Sequence, residues 1–191
     1  MGDLVMNAFE INFILDDTRP TICRKINVPS GITFSTLHNI IQIIFSFQNK
    51  HKYKFIFNEI NLEIKETESL NQDTIDAKRE LIDKYLTAFE TIKYKYGIWK
   101  ITLKTRELSE QIEYPQLVSY KVSYNPPEDI KSIDKINKLL ENKNKIDLKA
   151  FSRIKTQKSF MKLFDIPYKN IEKHIVKVEE KPKNTLNKLL E

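Results

Sequence analysis

Cysteine and glycine are both scarce in this chain of 191 residues. Cys23 is the only cysteine, which excludes an internal disulfide framework and a zinc site built from several thiolates. The three glycines are Gly2, Gly31 and Gly97, and none stands in the pattern of a P-loop or of a dinucleotide-binding turn. A single cysteine is typical of a reducing compartment. The length suffices for a core without cross-links, because a chain of this size buries about 70% of its unfolded surface.

Long apolar segments are missing as well. The longest apolar patch covers residues 40–47 and is interrupted by Gln42 and Ser46, so it is far too short to span a membrane. The first residues carry Asp3 and no basic cluster, which predicts no secretory signal. Met6 stands where a myristoylation motif requires Ser or Thr. We therefore expect a cytoplasmic protein with no membrane anchor.

Charge is distributed unevenly along the chain. The net charge is +6, yet residues 1–130 hold 16 basic and 18 acidic side chains while residues 131–191 hold 16 and 8. A basic tail region is typical of proteins that meet nucleic acid. Coding bias offers a second explanation, because AT-rich codons favour Lys, Ile and Asn, and the chain has 27 Lys against 5 Arg, with 26 Ile and 15 Asn. Both explanations stay open at this level.

Hydrophobic periodicity predicts several strands with two helices among them. A helix is predicted to begin at an N-cap Ser35 and to carry an apolar stripe as far as Phe45. A second helix is predicted to begin near Asp76, after a polar surface loop over residues 66–76. The alternation of a half-buried strand occurs in residues 9–15, 22–28, 53–57, 60–64, 94–96, 99–103 and 118–124.

From Pro127 onward the period becomes helical, first over residues 130–140 and then in shorter patches around 148–154, 159–164 and 170–178. The whole pattern predicts an α+β fold: a mainly antiparallel sheet with two helices packed on one face, plus a helical C-terminal extension. We accordingly expect an α+β domain over residues 1–130 and a basic helical extension over residues 131–191.

Few side chains suggest catalysis or metal binding. His38 lies beside the apolar stripe of the first helix and His51 opens the next strand, so the pair could bind metal or transfer a proton. No third ligand is apparent, and a structural role for the imidazoles is favoured. Cys23 lies in a strand pattern and is interpreted as a buried, inert thiol. We predict no metal site and no cofactor.

Aromatic residues alternate with lysines in residues 52–55 and 93–96. On a strand the two sets face opposite sides. A stacking platform for bases would need exposed aromatic rings beside the lysines, whereas inward-facing rings are simply core. We favour the core, and we assign Trp99, the only tryptophan, to the core as well.

Four blocks of sequence suggest a family. The first block, in residues 19–42, consists of Arg-Pro-Thr-Ile-Cys-Arg-Lys-Ile-Asn-Val-Pro followed by Thr-Leu-His and Ile-Gln. The second block, in residues 46–55, contains Ser-Phe, a His and a Phe. The third is Tyr-Lys-Tyr-Gly-Ile-Trp (94–99), and the fourth is Pro-Pro-Glu-Asp (126–129). In order and approximate spacing they resemble the pRiA-type plasmid ORF-three-like family over about residues 9–130. The motif positions that match are Arg24, His38, His51, Trp99, Glu128 and Asp129.

The resemblance implies an α+β fold with an antiparallel sheet and helices packed against it. Some members of the family carry a recombinase- or resolvase-like label. The chain departs from the family pattern at several positions: Lys95 and Ile98 replace two acidic residues, Cys23 replaces a tryptophan and Asn125 replaces a cysteine.

Three hypotheses about function follow. The first is a non-catalytic binding module that contacts DNA or RNA phosphates, since lysine is a point charge and the shortage of arginine disfavours base readout. The second is an adaptor that docks on a protein partner. The third is a recombinase-like enzyme of mobile-element DNA, in which His38, His51, Glu128 and Asp129 would have to converge. The candidate phosphate contacts of the first hypothesis are Lys143, Lys145, Lys149, Arg153, Lys155 and Lys158.

Overall fold

The computed structural model describes residues 8–67, 74–141 and 150–167. Within them an eight-stranded sheet has the order β5-β4-β3-β6-β7-β1-β2-β8. The strands are β1 Ala8–Leu15, β2 Cys23–Val28, β3 Tyr53–Phe57, β4 Leu62–Lys65, β5 Thr74–Asp76, β6 Thr91–Tyr96, β7 Trp99–Leu108 and β8 Gln116–Lys121. The helices are α1 Phe34–Phe45, α2 Asp83–Ala88, α3 Ile133–Glu141 and α4 Arg153–Leu163, and a 3₁₀ turn covers Asn58–Ile60.

Every neighbouring pair of strands is antiparallel except β4 and β5, which run parallel. The prediction of a mixed α and β fold with a mainly antiparallel sheet is therefore confirmed. Two hairpins join neighbouring strands of the sheet. Asn58 and Glu59 turn the chain between β3 and β4, and Gly97, at φ +54°, turns it between β6 and β7.

Helix α1 forms where its apolar stripe predicts it, but its N-cap lies two residues before the predicted Ser35. The N-cap is Thr33, whose side-chain oxygen accepts a hydrogen bond from the backbone N–H of Thr36 at 3.2 Å. Ser35 lies inside the first turn. Ser46 ends the helix in the left-handed conformation, with φ 57°. The buried face carries Phe34, Leu37, His38, Ile40, Ile41, Gln42, Ile44 and Phe45.

The predicted second helix is shorter than expected. Residues 74–76 form β5, and helix α2 begins only at Asp83. Tertiary contacts decide this difference, because the backbone N–H of Ala77 bonds to the carbonyl of Lys65 and leaves the chain extended there. Leu81 is 48% exposed, whereas Ile82, Tyr85 and Leu86 are buried. Part of the predicted surface loop, residues 68–73, lies outside the described residues.

The last strand is irregular near its start, because Leu117 and Tyr120, three residues apart, both pack against the core. Its pairing with β2 shifts register between Lys25 and Ile26, which is the mark of a bulge. Leu117 is therefore buried while Val118 is 37% exposed. The strand ends at Lys121, and Val122 follows with φ 66°. A bulge adds one residue to a strand, so a strict period of two that fits Tyr120 assigns the wrong face to Val118.

One hydrophobic core contains the inward side chains of the sheet and the buried faces of the helices. It includes Ile136 and Leu140 of α3 and Phe160 of α4. The interpretation of the alternating aromatics as core is confirmed: Tyr53, Phe55, Tyr94, Tyr96 and Trp99 are all buried. The division of the chain at residue 130 stays a prediction. Across residues 8–67, 74–141 and 150–167, no helix combines the length and apolarity that a membrane crossing requires.

Candidate functional site

Two irregular segments meet at one corner of the sheet, residues 46–51 after α1 and residues 124–129 after β8. We call these two segments the corner. Asn125 donates a hydrogen bond to the Ser46 hydroxyl at 2.9 Å, which joins one end of each segment. A cleft of about 220 Å³ lies between them. All six motif positions singled out in the sequence lie in the corner or bond to it.

Glu128 is the central residue of the corner and is 9% exposed. Its carboxylate accepts hydrogen bonds from the backbone N–H groups of Gln48 at 2.8 Å and Lys50 at 3.0 Å. It also accepts one from the Tyr96 hydroxyl. Burial by itself would raise the pKa of Glu128, but these three donors outweigh burial and hold that pKa below its usual value. A carboxylate with three donors fixes the path of residues 48–50.

His38 supports the same loop from α1 and is 1% exposed. Its Nε2 lies 2.9 Å from the Asn49 side-chain oxygen, and its Nδ1 lies 2.7 Å from the Tyr94 hydroxyl. Because the amide oxygen can only accept, Nε2 carries the proton and Nδ1 accepts from the tyrosine. The ring stacks on Tyr53 with centroids 3.6 Å apart. Burial lowers the pKa of His38 to about 4, so the imidazole is neutral at pH 7.

Asn49 is held in a left-handed conformation, with φ 57°. Its backbone N–H donates to the side-chain oxygen of Gln42 at 2.9 Å. Gln42 lies on α1 one helical turn after His38. The Gln42 amide nitrogen in turn lies 3.4 Å from the Tyr94 hydroxyl. Side chains of α1 therefore hold the loop at Asn49, as Glu128 holds it at Gln48 and Lys50.

His51 and Asp129 form the exposed part of the corner. Asp129 Oδ2 forms an ion pair with Lys50 Nζ at 2.5 Å, and Asp129 Oδ1 lies 3.6 Å from His51 Nε2. The hydrogen bond to Lys50 lowers the pKa of Asp129, and the same bond raises the pKa of Lys50. The His51 ring packs over Gly97, where an added Cβ would lie 3.0 Å from the ring. Glycine is thus required there both by the turn and by this contact.

Arg24 and Trp99 fix the two ends of residues 124–129. The Trp99 indole N–H donates to the Glu128 carbonyl at 3.3 Å. The Arg24 guanidinium donates to the carbonyls of Lys121 and Tyr124 at 2.9 and 3.0 Å. It also lies 4.1 Å from the centre of the Phe151 ring. Arg24 has no exposed surface, and burial lowers its pKa to about 10.

The hypothetical catalytic set of His38, His51, Glu128 and Asp129 does come together in space. However, both nitrogens of His38 and both oxygens of Glu128 are bonded to protein groups. A general acid or base must keep an atom within reach of its substrate. Among the described residues, no group of three His, Cys, Asp or Glu side chains could hold a metal ion. The geometry of the corner is that of a rigid support for its loop.

A model of the plasmid pRiA4b ORF-3-like protein family matches residues 7–172. The chain belongs to this family. The match extends past the four motif blocks and includes α3 and α4. The motif positions of this pRiA4b ORF-3-like protein therefore have a common structural explanation, because their side chains join α1, β2, β6 and β7 to the corner.

Two known proteins are similar to this family member. The uncharacterized protein y4hQ of Sinorhizobium fredii is 25% identical over 134 residues, which are 66% of this chain and 68% of that protein. The crystal structure of a protein of unknown function, MM3350 from Methanosarcina mazei Go1, has a TM-score of 0.62 at 20% identity. The structural match covers 76% of this chain and 88% of the MM3350 chain. The second likeness shows that the two proteins share a fold.

The described members of the predicted basic set in this pRiA4b ORF-3-like protein lie on helix α4 and not in the corner. Arg153, Lys155 and Lys158 are on α4, while Lys143, Lys145 and Lys149 lie outside the described residues. Helix α4 is held at the edge of the sheet by Gln157, whose side-chain amide bonds to the Pro115 carbonyl at 3.0 Å and to the Leu117 N–H at 3.3 Å. Because Gln157 bonds to the backbone of β8 and its approach, the orientation of α4 is fixed.

Helix α4 presents an exposed lysine stripe, formed by Lys155, Lys158 and Lys162. Their spacing of three and four residues places them on one side of the helix, opposite Phe160 and its buried neighbours. Lys162 was not among the predicted contacts, although its helical spacing from Lys158 could have found it. Arg153 is not part of the stripe, because it packs 5.6 Å from the centre of the Tyr120 ring.

The sequence also missed the polar partners inside the corner. Tyr94 and Tyr96 were interpreted only as core, yet each hydroxyl bonds to a motif residue. A tyrosine rather than a phenylalanine at a core position is itself a signal, because a buried hydroxyl needs a partner. Asn49 gave no such signal, since its role depends on a loop that only the fold assembles.

Proposed function

We propose that this family member is a non-catalytic nucleic-acid-binding module that contacts phosphate groups through the basic residues of its C-terminal part. The observation that carries the proposal is the lysine stripe of α4. The eleven residues of this helix hold four basic side chains and no acidic one. Among the described residues, Lys155, Lys158 and Lys162 have no ion-pair partner, so their charges are available to a polyanion.

The chemistry of the stripe favours phosphates over bases. Lysine presents a flexible point charge, whereas base readout relies mainly on the planar fork of arginine or on amide side chains. The same region supplies the predicted contacts Lys143, Lys145 and Lys149, and residues 131–191 hold 16 basic against 8 acidic side chains. A surface of this kind binds every sequence with similar strength, and its affinity falls steeply with salt.

The corner supports the non-catalytic part of the proposal. His38 is neutral and enclosed by its hydrogen-bond partners, and Glu128 is bonded to the loop that it holds. These residues therefore act as a framework for the fold. The recombinase-like alternative would need a nucleophile with a base beside it, and the corner supplies neither an accessible imidazole at His38 nor a free carboxylate at Glu128.

The test is fluorescence anisotropy of labelled DNA and RNA, titrated with the full chain across a salt series. We expect binding at low salt with a log–log salt slope of several units, since each phosphate contact contributes about 0.9. The variant K155Q/K158Q/K162Q should lower that slope by up to about 3. The matched control is K78Q/R79Q/K84Q, which removes the same charge from residues that already pair with Glu66, Asp76 and Glu80.

The two variants give a clear decision. Equal binding by the control and the wild-type protein, with weaker binding by the α4 variant, supports the proposal. If no nucleic acid binds at low salt, the basic composition reflects coding bias and the proposal is wrong. If no nucleic acid binds but a protein partner binds the α4 stripe, the result favours the adaptor hypothesis.

A further inference from the structure

The sheet has a second face, opposite the aromatic core, which we call the open face. Its side chains alternate with the buried ones along each strand and are mostly half-buried or exposed. Charged groups dominate it. The basic members are Lys25, Lys54, Lys65, Lys93, Lys95, Lys100, Lys104, Arg106 and Lys121, and the acidic ones on or beside the strands are Glu10, Asp16, Glu63 and Asp76.

Lysines stand directly opposite one another on this face. Lys54 of β3 pairs with Lys95 of β6, and Lys95 pairs with Lys100 of β7. Side chains in such positions have Cβ atoms about 4.5–5.5 Å apart, and like charges there destabilise a sheet. Lys95 and Lys100 contribute no ion pair among the described residues, and any polar β-former would satisfy the same positions. A polyanion laid across the row would turn the repulsion into attraction.

The acidic residues leave part of the positive charge uncompensated. Glu10 binds Lys25 and Arg106, Glu63 binds Lys54 and Lys65, and Asp16 binds Lys93. Lys95, Lys100, Lys104 and Lys121 form no ion pair with any residue that the structure describes. These four side chains are all exposed and span strands β6, β7 and β8.

The open face has no platform on which bases could stack. The rings of Tyr53, Tyr94, Tyr96 and Trp99 all point into the core. Arg106 donates from Nε to Glu10 at 2.8 Å, and the other basic residues of the described strands on this face are lysines, which lack the planar fork used in base readout. Proteins that prefer single strands combine positive charge with exposed aromatic rings. The open face offers the charge without the rings.

We propose that the open face binds the phosphate backbone of duplex nucleic acid without sequence preference. A surface that acts through charge alone favours the polymer with the higher charge density. Duplex DNA carries about one charge per 1.7 Å against about one per 3.4 Å for a single strand, and the salt slope per contact is correspondingly steeper. The inference rests on the proposed function for the class of partner, but it uses residues separate from those of α4.

The test compares a duplex of about 30 base pairs with its single strand by anisotropy across the same salt series. The open-face variant is K95Q/K100Q/K104Q, and K155Q/K158Q/K162Q serves as the α4 variant. We expect the wild-type protein to bind the duplex more tightly than the single strand. The open-face variant should lower the duplex slope by up to about 3, at about 0.9 for each lost contact. Unchanged circular dichroism and cooperative melting verify that the variants fold.

The outcomes separate this inference from the proposed function. If the wild-type protein binds no nucleic acid, both are wrong. If the α4 variant weakens binding while the open-face variant equals wild type, the proposed function stands and the inference is overturned. Equal or tighter binding to the single strand overturns the preference for duplex. If the open-face variant loses binding to vesicles of anionic lipid but keeps its duplex affinity, the face serves a membrane surface and the inference is also overturned.

Discussion

The two faces of the sheet use polar groups in opposite ways. On the core face, the side chains of Arg24, His38 and Glu128 are buried and bonded to protein groups, and each holds a segment of backbone in place. On the open face, Lys95 and Lys100 stand opposite one another with no ion-pair partner among the described residues. Buried polar groups are costly unless they are satisfied, whereas exposed charges cost the fold little. The comparison indicates that the core-face groups build the structure, whereas Lys95 and Lys100 carry exposed charge that forms no ion pair with a described residue.

Replacing Arg24 tests the core face most severely. Arg24→Ala removes a large buried side chain and leaves the carbonyls of Lys121 and Tyr124 without their donor. We expect the free energy of unfolding to fall by about 4 kcal/mol, measured by urea denaturation followed by circular dichroism. Arg79→Ala is the control, since its side chain is 83% exposed and should change stability by less than about 0.5 kcal/mol. Similar losses in both variants would contradict a structural role for Arg24.

Acid should weaken the core face through His38. Its pKa of about 4 in the folded state lies below 6.5, the usual value for an unfolded chain. The unfolded state therefore binds more protons between these values, so the stabilisation is fully present above pH 6.5 and is lost as pH falls towards 4. The expected loss is about 3 kcal/mol, measured by urea denaturation at several pH values. In His38→Gln this pH dependence should disappear, and its persistence would assign the effect to another group.

Glu128→Gln tests whether the buried carboxylate of the corner stabilises the fold. An amide keeps the shape of the side chain but removes the charge that accepts from the backbone N–H groups of Gln48 and Lys50. We expect a loss of about 2 kcal/mol near neutral pH. Because the pKa of Glu128 is lowered in the folded state, its stabilisation is present above pH 4.5 and is lost below it. Asp129→Asn is the matched control at an exposed position, and an equal loss there would contradict the central role of Glu128.

The smallest effect is expected on the open face and has the opposite sign. Lys95→Gln relieves repulsion from Lys54 and Lys100, so the free energy of unfolding should rise by about 0.5 kcal/mol. The measurement is thermal melting at low ionic strength, and the gain should shrink as salt is added. The control Lys84→Gln removes a favourable pair with Glu80 and should not stabilise the protein. Destabilisation by Lys95→Gln would mean that the open face is structural as well.

Local patterns in the sequence determined much of this molecule. Alternation predicted β1, β2, β3, β6 and β7, and the apolar stripe predicted α1, because periods of 2 and 3.6 depend only on neighbours along the chain. The inward direction of Tyr94, Tyr96 and Trp99 followed from the same alternation. The family resemblance singled out His38, His51, Glu128 and Asp129, but it did not predict that they hold a loop together.

Tertiary structure decided what depends on distant partners. Arg24 shares the parity of Ile26 and Val28, so its inward position was readable, but its partners on residues 121 and 124 were not. The bulge opposite Lys25 and Ile26 puts Leu117 rather than Val118 on the core face of β8, and pairing with Lys65 kept Ala77 out of a helix. The row from Lys54 to Lys100 exists only because three strands align in one register. The sequence specifies which face each residue takes, while register and packing specify what it meets there, because those contacts join residues far apart in the chain.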